Sequence, residues 1–197
     1  KSPPARWPRL TQSTATQLVQ QLDHTNGTLR DLAQAQLLAR PAGAIPALRR
    51  LLRSSTTSFG KLHALCTLAG LGKLTPRDVL AGLQAKHPGV LRHAVRLSEQ
   101  QLNQPEIQKA IIRLASHQGA RVRLQVSYLL ASIKSRGIHR VIASRIAKEQ
   151  DRYVRASLLN SLQQVNLAAV VAAYLNLKGQ TRDSTFRQLA SIAIRQG

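Results

Sequence analysis

Apolar residues recur along this chain at the spacing of an α-helix, and the sequence holds no strand-like alternation of apolar and polar residues. In one stretch Val122, Val126, Leu129, Leu130 and Ile133 occupy positions i, i+4, i+7, i+8 and i+11. These positions share one face, because an α-helix completes a turn every ~3.6 residues. The pattern predicts an all-α protein in which such faces form the core.

The apolar stretches come in pairs, and turn-forming residues such as Asn26-Gly27 separate the two members of a pair. The predicted first helices span residues 15–24, 44–53, 76–86, 105–117, 138–148 and 167–177. The predicted second helices span residues 29–39, 61–70, 90–102, 122–133, 153–165 and 184–195. Residues 1–13 are rich in proline and lack the helical period, so they are predicted to form an incoming linker.

A basic residue recurs near the start of every predicted second helix. The steps between successive members are 31, 31, 31, 32 and 32 residues. A single helical hairpin cannot bury its own apolar face, whereas stacked hairpins share a continuous core. The period therefore predicts a right-handed α-solenoid of about six two-helix repeats, forming one domain over residues 14–197. The recurring basic residues are Arg30, Lys61, Arg92, Arg123, Arg155 and Arg187.

These units resemble HEAT repeats of the short bacterial type, on the evidence of the paired helices and the hydrophobic-Arg opening of the second helix. The stretches STATQLVQQLDHTNGTLRDLAQAQLL (13–38) and KLHALCTLAGLG (61–72) are also similar to the HEAT segment of large bacterial proteins with a sugar-dehydrogenase-like β-propeller and a c-type haem domain. The resemblance implies a scaffold or protein-interaction domain of a larger exported or periplasmic protein. The chain has no Cys-x-x-Cys-His motif for haem and does not begin with methionine, so we expect it to be a piece of that protein without a cofactor.

The chain is strongly basic, with 29 Lys and Arg against 8 Asp and Glu and a formal net charge of +21. Such an excess favours an acidic partner, which is either a protein surface, including neighbouring domains of the same chain, or a nucleic acid. No apolar run has the length of a membrane span. The arginines predicted to bind a polyanion or another partner are Arg92, Arg96, Arg121, Arg123, Arg152 and Arg155.

The repeated basic residues have two interpretations. In the first, all six form a structural ladder in which each side chain binds turn carbonyls or a turn acid and fixes the next repeat. In the second, they line a ligand surface. HEAT repeats typically place an aspartate four positions before the basic residue, and here only Asp151 and Asp183 are acidic at that position. We therefore expect Asp151 to pair with Arg155, whereas Arg92 and Arg123 lack an acidic partner.

Cysteine and histidine offer little chemistry in this sequence. The single cysteine, Cys66, lies on an apolar helix face and is interpreted as a small core residue. The six histidines lack the spacing of metal ligands, so no metal or cofactor is predicted. His24, His87 and His117 fall at helix ends, where we expect them to bind carbonyl groups.

Catalytic motifs are also missing: the sequence has no close carboxylate pair, no phosphate-binding glycine loop and no nucleophile elbow. The sequence therefore favours a non-catalytic scaffold or protein-interaction domain. The first alternative is a basic solenoid that binds nucleic acid. The second, with less support, is a HEAT-like alkylpurine DNA glycosylase, for which Asp31 or Asp151 would supply the acid.

Overall fold

The computed structural model describes residues 8–164, 167–178 and 184–196. All regular elements within these ranges are helical, and the α-helices pack in sequential pairs as in a repeat solenoid, so the predicted fold class is confirmed. The α-helices of the described residues are α1 (Ala15–Gln21), α2 (Gly27–Ala39), α3 (Ala44–Ser54), α4 (Ser58–Gly70), α5 (Pro76–Leu83), α6 (Pro88–Leu97), α7 (Pro105–Leu114), α8 (Ala120–Leu130), α9 (Ile138–Lys148), α10 (Arg152–Asn160), α11 (Leu167–Lys178) and α12 (Ser184–Gln196).

Two compact units divide the chain, residues 1–94 and residues 95–197. In the first unit α1, α3 and α5 follow one another in one layer, while α2 packs against α4 in a second layer. In the second unit α9 packs against α11 in one layer and α8 against α10 in the other. The prediction that residues 14–197 form a single domain stays a prediction.

The helices α2, α4 and α10 begin earlier than predicted because a capping side chain stands upstream of the apolar stripe. Asn26, Thr57 and Asp151 each accept a hydrogen bond from an amide N–H in the first turn of α2, α4 and α10, respectively. These three helices therefore begin one residue after their caps, since a capping side chain satisfies an amide that would otherwise lack a partner. Several first helices end about three residues before the predicted end, because the residues that follow belong to the turns.

The core of the described residues is mainly aliphatic, with Tyr174 as a fully buried exception. The five residues predicted to share one face, from Val122 to Ile133, are each at most 4% exposed. Leu48, Leu65 and Ile142 are completely buried in other helices. Burial of a leucine or isoleucine side chain stabilises the fold by about 1.5–3 kcal/mol, so these stripes hold the helix pairs together.

The end of the predicted linker is structured. Residues 1–7 lie outside the described residues, but Leu10–Gln12 forms a short 3-10 turn. The guanidinium of Arg40, which follows α2, donates hydrogen bonds to the carbonyl oxygens of Leu10 (3.1 Å) and Thr11 (2.9 Å). This contact attaches the incoming segment to the first helix pair.

Gly60 interrupts the hydrophobic-basic pattern for a steric reason. The carboxylate of Asp23, in the turn after α1, accepts a hydrogen bond from the Gly60 N–H at 3.1 Å. A Cβ atom at position 60 would lie 2.5 Å from Asp23 Oδ1 and 2.6 Å from Ser55 Oγ. Glycine is therefore required where the other repeats carry an apolar side chain, because the acid of one pair lies against the helix start of the next.

Candidate binding surface on the second helices

The fourth residue of each second helix, which we call the ladder position, contains a basic side chain in five helices and a leucine in α6. The repeating period had assigned Arg92 to this row, but Arg92 is the fifth residue of α6 and the ladder position holds Leu91, which is 3% exposed. Relative to its basic residue, α6 begins one residue earlier than the other second helices, because Pro88 occupies its first position, where the fixed backbone angle of proline fits. The residues at the ladder position are Arg30, Lys61, Leu91, Arg123, Arg155 and Arg187.

Arg30 joins the turn of its own helix pair to the next pair. Its Nη1 donates to the carbonyl oxygens of His24 (2.7 Å) and Thr25 (2.9 Å). Its Nε donates to His63 Nε2 at 3.2 Å, and its Cζ lies 4.2 Å from the centre of the Phe59 ring. The guanidinium therefore binds turn carbonyls on one side and, on the other, a neutral imidazole and an aromatic face supplied by α4.

His63 must be neutral for this contact, because Nε2 accepts the Arg30 proton. Its Nδ1 lies 2.7 Å from Gln34 Oε1, so Nδ1 is the protonated nitrogen and donates to the amide. Burial lowers the pKa of the His63 imidazole, the positive charge of Arg30 lowers it further, and Asp31 opposes both effects in part. The pKa of His63 therefore lies below its ordinary value of 6.5.

Arg123 makes the same turn contacts with a different partner across the repeat. Its Nη1 donates to the carbonyl oxygens of His117 and Gln118, both at 2.9 Å. Its Nε and Nη2 donate to the two carboxylate oxygens of Glu149 at 2.8 and 2.7 Å. The expectation that Arg123 lacks an acidic partner is therefore wrong. Its guanidinium is occupied within the protein, and the side chain is only 16% exposed.

Glu149 is the most buried acid among the described residues of the second unit, with a side chain 1% exposed. Burial alone would raise the pKa of this carboxyl, but the hydrogen bonds from Arg123 and from the Asp151 backbone, together with the charges of Arg123 and Arg145, lower the pKa below its ordinary value of 4.5. The hydrogen bond with Glu149 in turn raises the pKa of Arg123. The pair is thus ionised, bidentate and shielded from water, which is the stronger form of such a contact.

The expected pair of Asp151 and Arg155 does not form. The Asp151 carboxylate accepts hydrogen bonds from the amides of Tyr153 (2.9 Å) and Val154 (3.1 Å), so it serves as the cap of α10. The Nη2 of Arg155 instead donates to the hydroxyl of Thr185 in α12. The residue four positions before the ladder position is the N-cap of the helix. An acid at that position therefore binds backbone amides. Asp183, the other acid of the predicted row, lies outside the described residues.

A side-chain acceptor closes the turn before each second helix of the first five pairs by binding the amide two residues later. In three turns the acceptor is a histidine Nδ1, so the expectation that His24, His87 and His117 bind carbonyls is wrong. The donors are the amides of Asn26, Gly89 and Gly119, at 2.9–3.1 Å. The acceptors are His24, Ser55, His87, His117 and Glu149.

Other predicted binding residues are exposed. Arg92 and Arg96 on α6 and Arg121 on α8 are exposed, and no hydrogen bond or ion pair joins them to the described residues. Arg152 is exposed as well, but its guanidinium lies on the ring of Tyr153, 4.6 Å from the ring centre, and Nη2 donates to the Tyr153 hydroxyl at 2.6 Å. These four arginines are available to a ligand, unlike Arg123.

Of the seven acids among the described residues, four make contacts inside the protein. Asp78 forms an ion pair with Arg49 at 3.2 Å, and Asp23 binds the start of α4. Together with Glu149 and Asp151, they leave little negative charge at the surface. Basic side chains therefore dominate the field around the described residues. The acids exposed to solvent are Asp31, Glu99 and Glu106.

Two tyrosines form an open cleft of about 440 Å³ on the second unit, which we call the aromatic cleft. Tyr128 is 55% exposed and Tyr153 is 61% exposed, which is unusual for large side chains with so much apolar area. The sequence analysis did not identify this cleft. A usable signal was present, because Tyr128 lies off the buried stripe of its helix. The cleft is lined mainly by Leu124, Tyr128, Tyr153, Ala156, Ser157 and Asn160.

A second cleft, in the first unit, is more basic. Arg49, Arg53 and Arg77 line it near the start of α5, with a volume of about 470 Å³. Asp78 lies in the same cleft and neutralises Arg49. The Thr75 hydroxyl accepts from the amide of Asp78, and the Asp78 carboxylate accepts from the amide of Thr75. Two amides at the start of α5 are therefore already engaged, and this cleft binds an anion less well than its three arginines alone would indicate.

The described residues contain no group of three or more His, Cys, Asp and Glu side chains that could hold a metal ion. Cys66 is half-buried, and its sulfur lies 3.8 Å from His93 Nδ1, so it is less enclosed than the predicted core position. Among the helices of the described residues, none is long and apolar enough to span a membrane.

Two engineered proteins, with crystal structures from the Northeast Structural Genomics Consortium, resemble this chain in fold. One has a TM-score of 0.53 at 19% identity over 92% of this chain and 95% of its own length. The other has a TM-score of 0.54 at 18% identity over 93% of this chain and 98% of its own length. At such identity the likeness shows the all-helical repeat fold alone. No protein-family model matches the chain, and no curated protein matches its sequence.

Proposed function

We propose that this chain is a non-catalytic HEAT-type interaction domain whose ligand is an acidic protein segment. The observation that carries the proposal is the set of exposed arginines on the second helices. Arg121 has no partner among the described residues, and Arg152 contacts only an exposed tyrosine. Exposed cations without internal partners attract an acidic segment, and the helices fix the positions of their backbone atoms before binding.

The distribution of these arginines supports a protein ligand over a nucleic acid. A phosphate backbone carries charge at short, regular intervals and is bound by a continuous track of cations. Along α8 and α10 the track is broken, because Arg123 is bound by Glu149 and Arg155 donates to Thr185. Separate cations with polar and apolar surface between them suit a protein segment that carries a few acidic residues.

The HEAT family and the larger exported protein belong to the same proposal. The guanidinium groups of Arg30 and Arg123 each straddle two turn carbonyls and reach the next pair, as the repeat resemblance implies. Such a frame presents side chains at fixed spacing for binding. In this proposal the domain serves as a scaffold that holds an acidic segment of a partner or of a neighbouring domain.

A titration with a fluorescent polyglutamate peptide tests the proposal. We expect binding that weakens from low to physiological salt, since exposed charges are screened over about 8–10 Å. Replacing Arg121 and Arg152 with glutamine should weaken binding by about fivefold per arginine, because one exposed ion pair contributes up to about 1 kcal/mol. Arg53→Gln is the matched control with one cation removed from the first unit. If all three changes weakened binding equally, the binding would depend only on the net charge of the protein, which would contradict the proposed surface.

A second candidate function, binding of single-stranded nucleic acid, is favoured by the exposed rings of the aromatic cleft. Bases stack on such rings, and each stack contributes about 1–3 kcal/mol. A titration with a single-stranded oligonucleotide separates the two functions. If the oligonucleotide binds more tightly than the acidic peptide at physiological salt, the nucleic-acid function replaces the first proposal.

A further inference from the structure

We propose that the aromatic cleft binds a proline next to an acidic residue in an extended peptide, with the proline ring between Tyr128 and Tyr153 and the adjacent carboxylate on Arg152. This inference rests on the proposed function, since it specifies the acidic segment that the domain binds. It assigns a defined site on the surface of α8 and α10 within the second unit.

The walls of the cleft are the first argument. Tyr128 and Tyr153 are both more than half exposed, and both line the same cavity. An exposed aromatic ring offers a flat apolar face of low conformational entropy, and a proline ring packs on such faces in grooves lined by aromatic residues. Proline also holds its segment extended before binding, so less conformational entropy is lost.

The charge beside the cleft is the second argument. The Cζ of Arg152 lies 4.6 Å from the centre of the Tyr153 ring, and a single donor, Nη2, is engaged by the Tyr153 hydroxyl. A guanidinium has five N–H donors, so the others remain available to a carboxylate. The ring holds the guanidinium in position before the ligand arrives, which makes the contact with a carboxylate less costly in side-chain entropy.

The floor of the cleft is the third argument. Leu124 from α8 and Ala156 from α10 supply small apolar surface between the rings. Ser157, which also lines the cleft, accepts a hydrogen bond from the Ser127 hydroxyl at 2.7 Å, and this contact joins the two helices. The separation of the rings is therefore set by two packed helices rather than by a loop. A rigid cavity of this kind retains its shape when it is empty.

The same features argue against a nucleotide in this cleft. A stacked base needs a cation for each flanking phosphate. Among the described residues, Arg152 is the arginine in contact with the cleft walls, and Arg155, one turn further along α10, donates to Thr185 of α12. One cation beside two rings and a small apolar floor matches a proline and one carboxylate.

Fluorescence anisotropy of the full chain with three probes tests the inference. The probes are a peptide of alternating glutamate and proline, a polyglutamate peptide of equal charge, and a single-stranded oligothymidine. We expect the Glu-Pro peptide to bind most tightly. Tyr128→Ala and Tyr153→Ala should each weaken that binding on the order of tenfold, the loss typical of a truncated aromatic anchor. Tyr128→Ala leaves the contact between Arg152 and Tyr153 in place, so it should leave polyglutamate binding nearly unchanged.

Conservative variants separate the role of the rings from the role of the hydroxyl and the charge. Tyr128→Phe keeps the ring and should retain Glu-Pro binding, whereas Arg152→Gln should weaken it and reduce its salt dependence. Ile194→Ala, at a residue 81% exposed outside the cleft, is the matched control and should change nothing. All four positions are exposed, so circular dichroism should report an unchanged fold.

Two outcomes would overturn the inference and are distinguishable. If polyglutamate binds as tightly as the Glu-Pro peptide and the tyrosine variants bind both normally, the acidic-segment function stands and the proline site fails. If neither peptide binds and oligothymidine binds through Tyr128 and Tyr153, the proposed function and the proline site fail together, and the cleft is a base-stacking site.

Discussion

An arginine connects the turn before α2 to the next helix pair, and another does the same for the turn before α8, but the two arginines have different partners. At the ladder position of α2, Arg30 binds two turn carbonyls and then contacts His63 and Phe59 of the next pair. At the ladder position of α8, Arg123 binds two equivalent carbonyls and then meets the carboxylate of Glu149. The hydrogen bonds to turn carbonyls within one helix pair are the same at both positions. The partner in the next pair differs, because it is neutral for Arg30 and a carboxylate for Arg123.

This difference shows which of the contacts requires an arginine. The turn carbonyls lie at a fixed distance before the helix start, so a planar fork at the fourth position reaches them in both units. The partner across the repeat is set by stacking, and either an imidazole with a ring or a carboxylate can complete the contact. The two junctions should therefore differ in the cost of losing the arginine and in their response to pH.

Removal of Arg123 should have the largest effect on stability. Arg123→Ala leaves the Glu149 carboxylate, 1% exposed, without its bidentate partner, and breaking a buried ion pair costs about 3–5 kcal/mol. The measurement is the free energy of unfolding from urea denaturation. Arg121→Ala, two residues away and exposed, is the matched control and should stay within about 0.5 kcal/mol of the parent chain. A loss below about 1 kcal/mol for Arg123→Ala would show that the pair is solvated.

Removal of Arg30 should cost less, about 1–2 kcal/mol, because it breaks hydrogen bonds to carbonyls that water can reach and leaves no buried charge. Urea denaturation measures this loss as well. Arg30→Lys keeps the charge but loses the planar fork, so it should recover only part of the lost stability. If Arg30→Ala cost as much as Arg123→Ala, the carboxylate would not be the source of the difference between the two turns.

Mild acidification should separate the two junctions. The pKa of His63 is lowered in the folded state, so the unfolded chain binds its proton more readily, and the stabilisation is complete above pH 6.5 and lost as pH falls through the folded pKa. The pKa of Glu149 is also lowered, but its contribution is lost only below its ordinary value of 4.5. Between these values α4, which contains His63, should weaken, whereas the contacts of Glu149 at the start of α10 should persist.

Amide hydrogen exchange at pH 7 and just above pH 5, corrected for the intrinsic pH dependence of exchange, measures that effect in each unit separately. Protection of α4 should decrease while protection of α10 is retained. His63→Gln removes the titrating group and should abolish the pH dependence in α4. Equal loss of protection in both helices would contradict the assignment of the effect to His63.

The smallest effect is expected at Arg92. Because this residue is exposed and lies one position after the ladder position, Arg92→Ala should change the free energy of unfolding by no more than about 0.5 kcal/mol. Its neighbour provides the contrast: Leu91 is 3% exposed, and Leu91→Ala should cost about 2–5 kcal/mol. Thermal denaturation of the two variants checks the register of α6. A larger loss of stability for Arg92→Ala than for Leu91→Ala would place Arg92 at the ladder position.

Much of the fold could be predicted because it depends on local pattern. The apolar period and the turn residues identified the helix pairs, and α9 has the bounds that the pattern predicts, Ile138–Lys148. The register of α6 was missed by one residue, since a constant period cannot show that Pro88 starts its helix early. The turn histidines were recognised at helix ends, but whether they bind an amide or a carbonyl depends on backbone direction.

The candidate site depends on contacts between helix pairs. Arg123 and Glu149 are 26 positions apart in the chain, and no sequence pattern indicates that the two residues form a pair. The two tyrosines of the aromatic cleft lie on different helices and meet only when α8 packs against α10.

The sequence by itself determined the helices, their pairing and the strongly basic composition, because helical period and turn chemistry act over a few neighbouring residues. The tertiary structure alone decided which arginines are occupied and which are available, where the acids find partners, and that two exposed tyrosines share a cleft. The physical reason is that a side chain four residues before a helical arginine caps the helix, whereas the groups that bind its guanidinium are brought there by the stacking of the next pair.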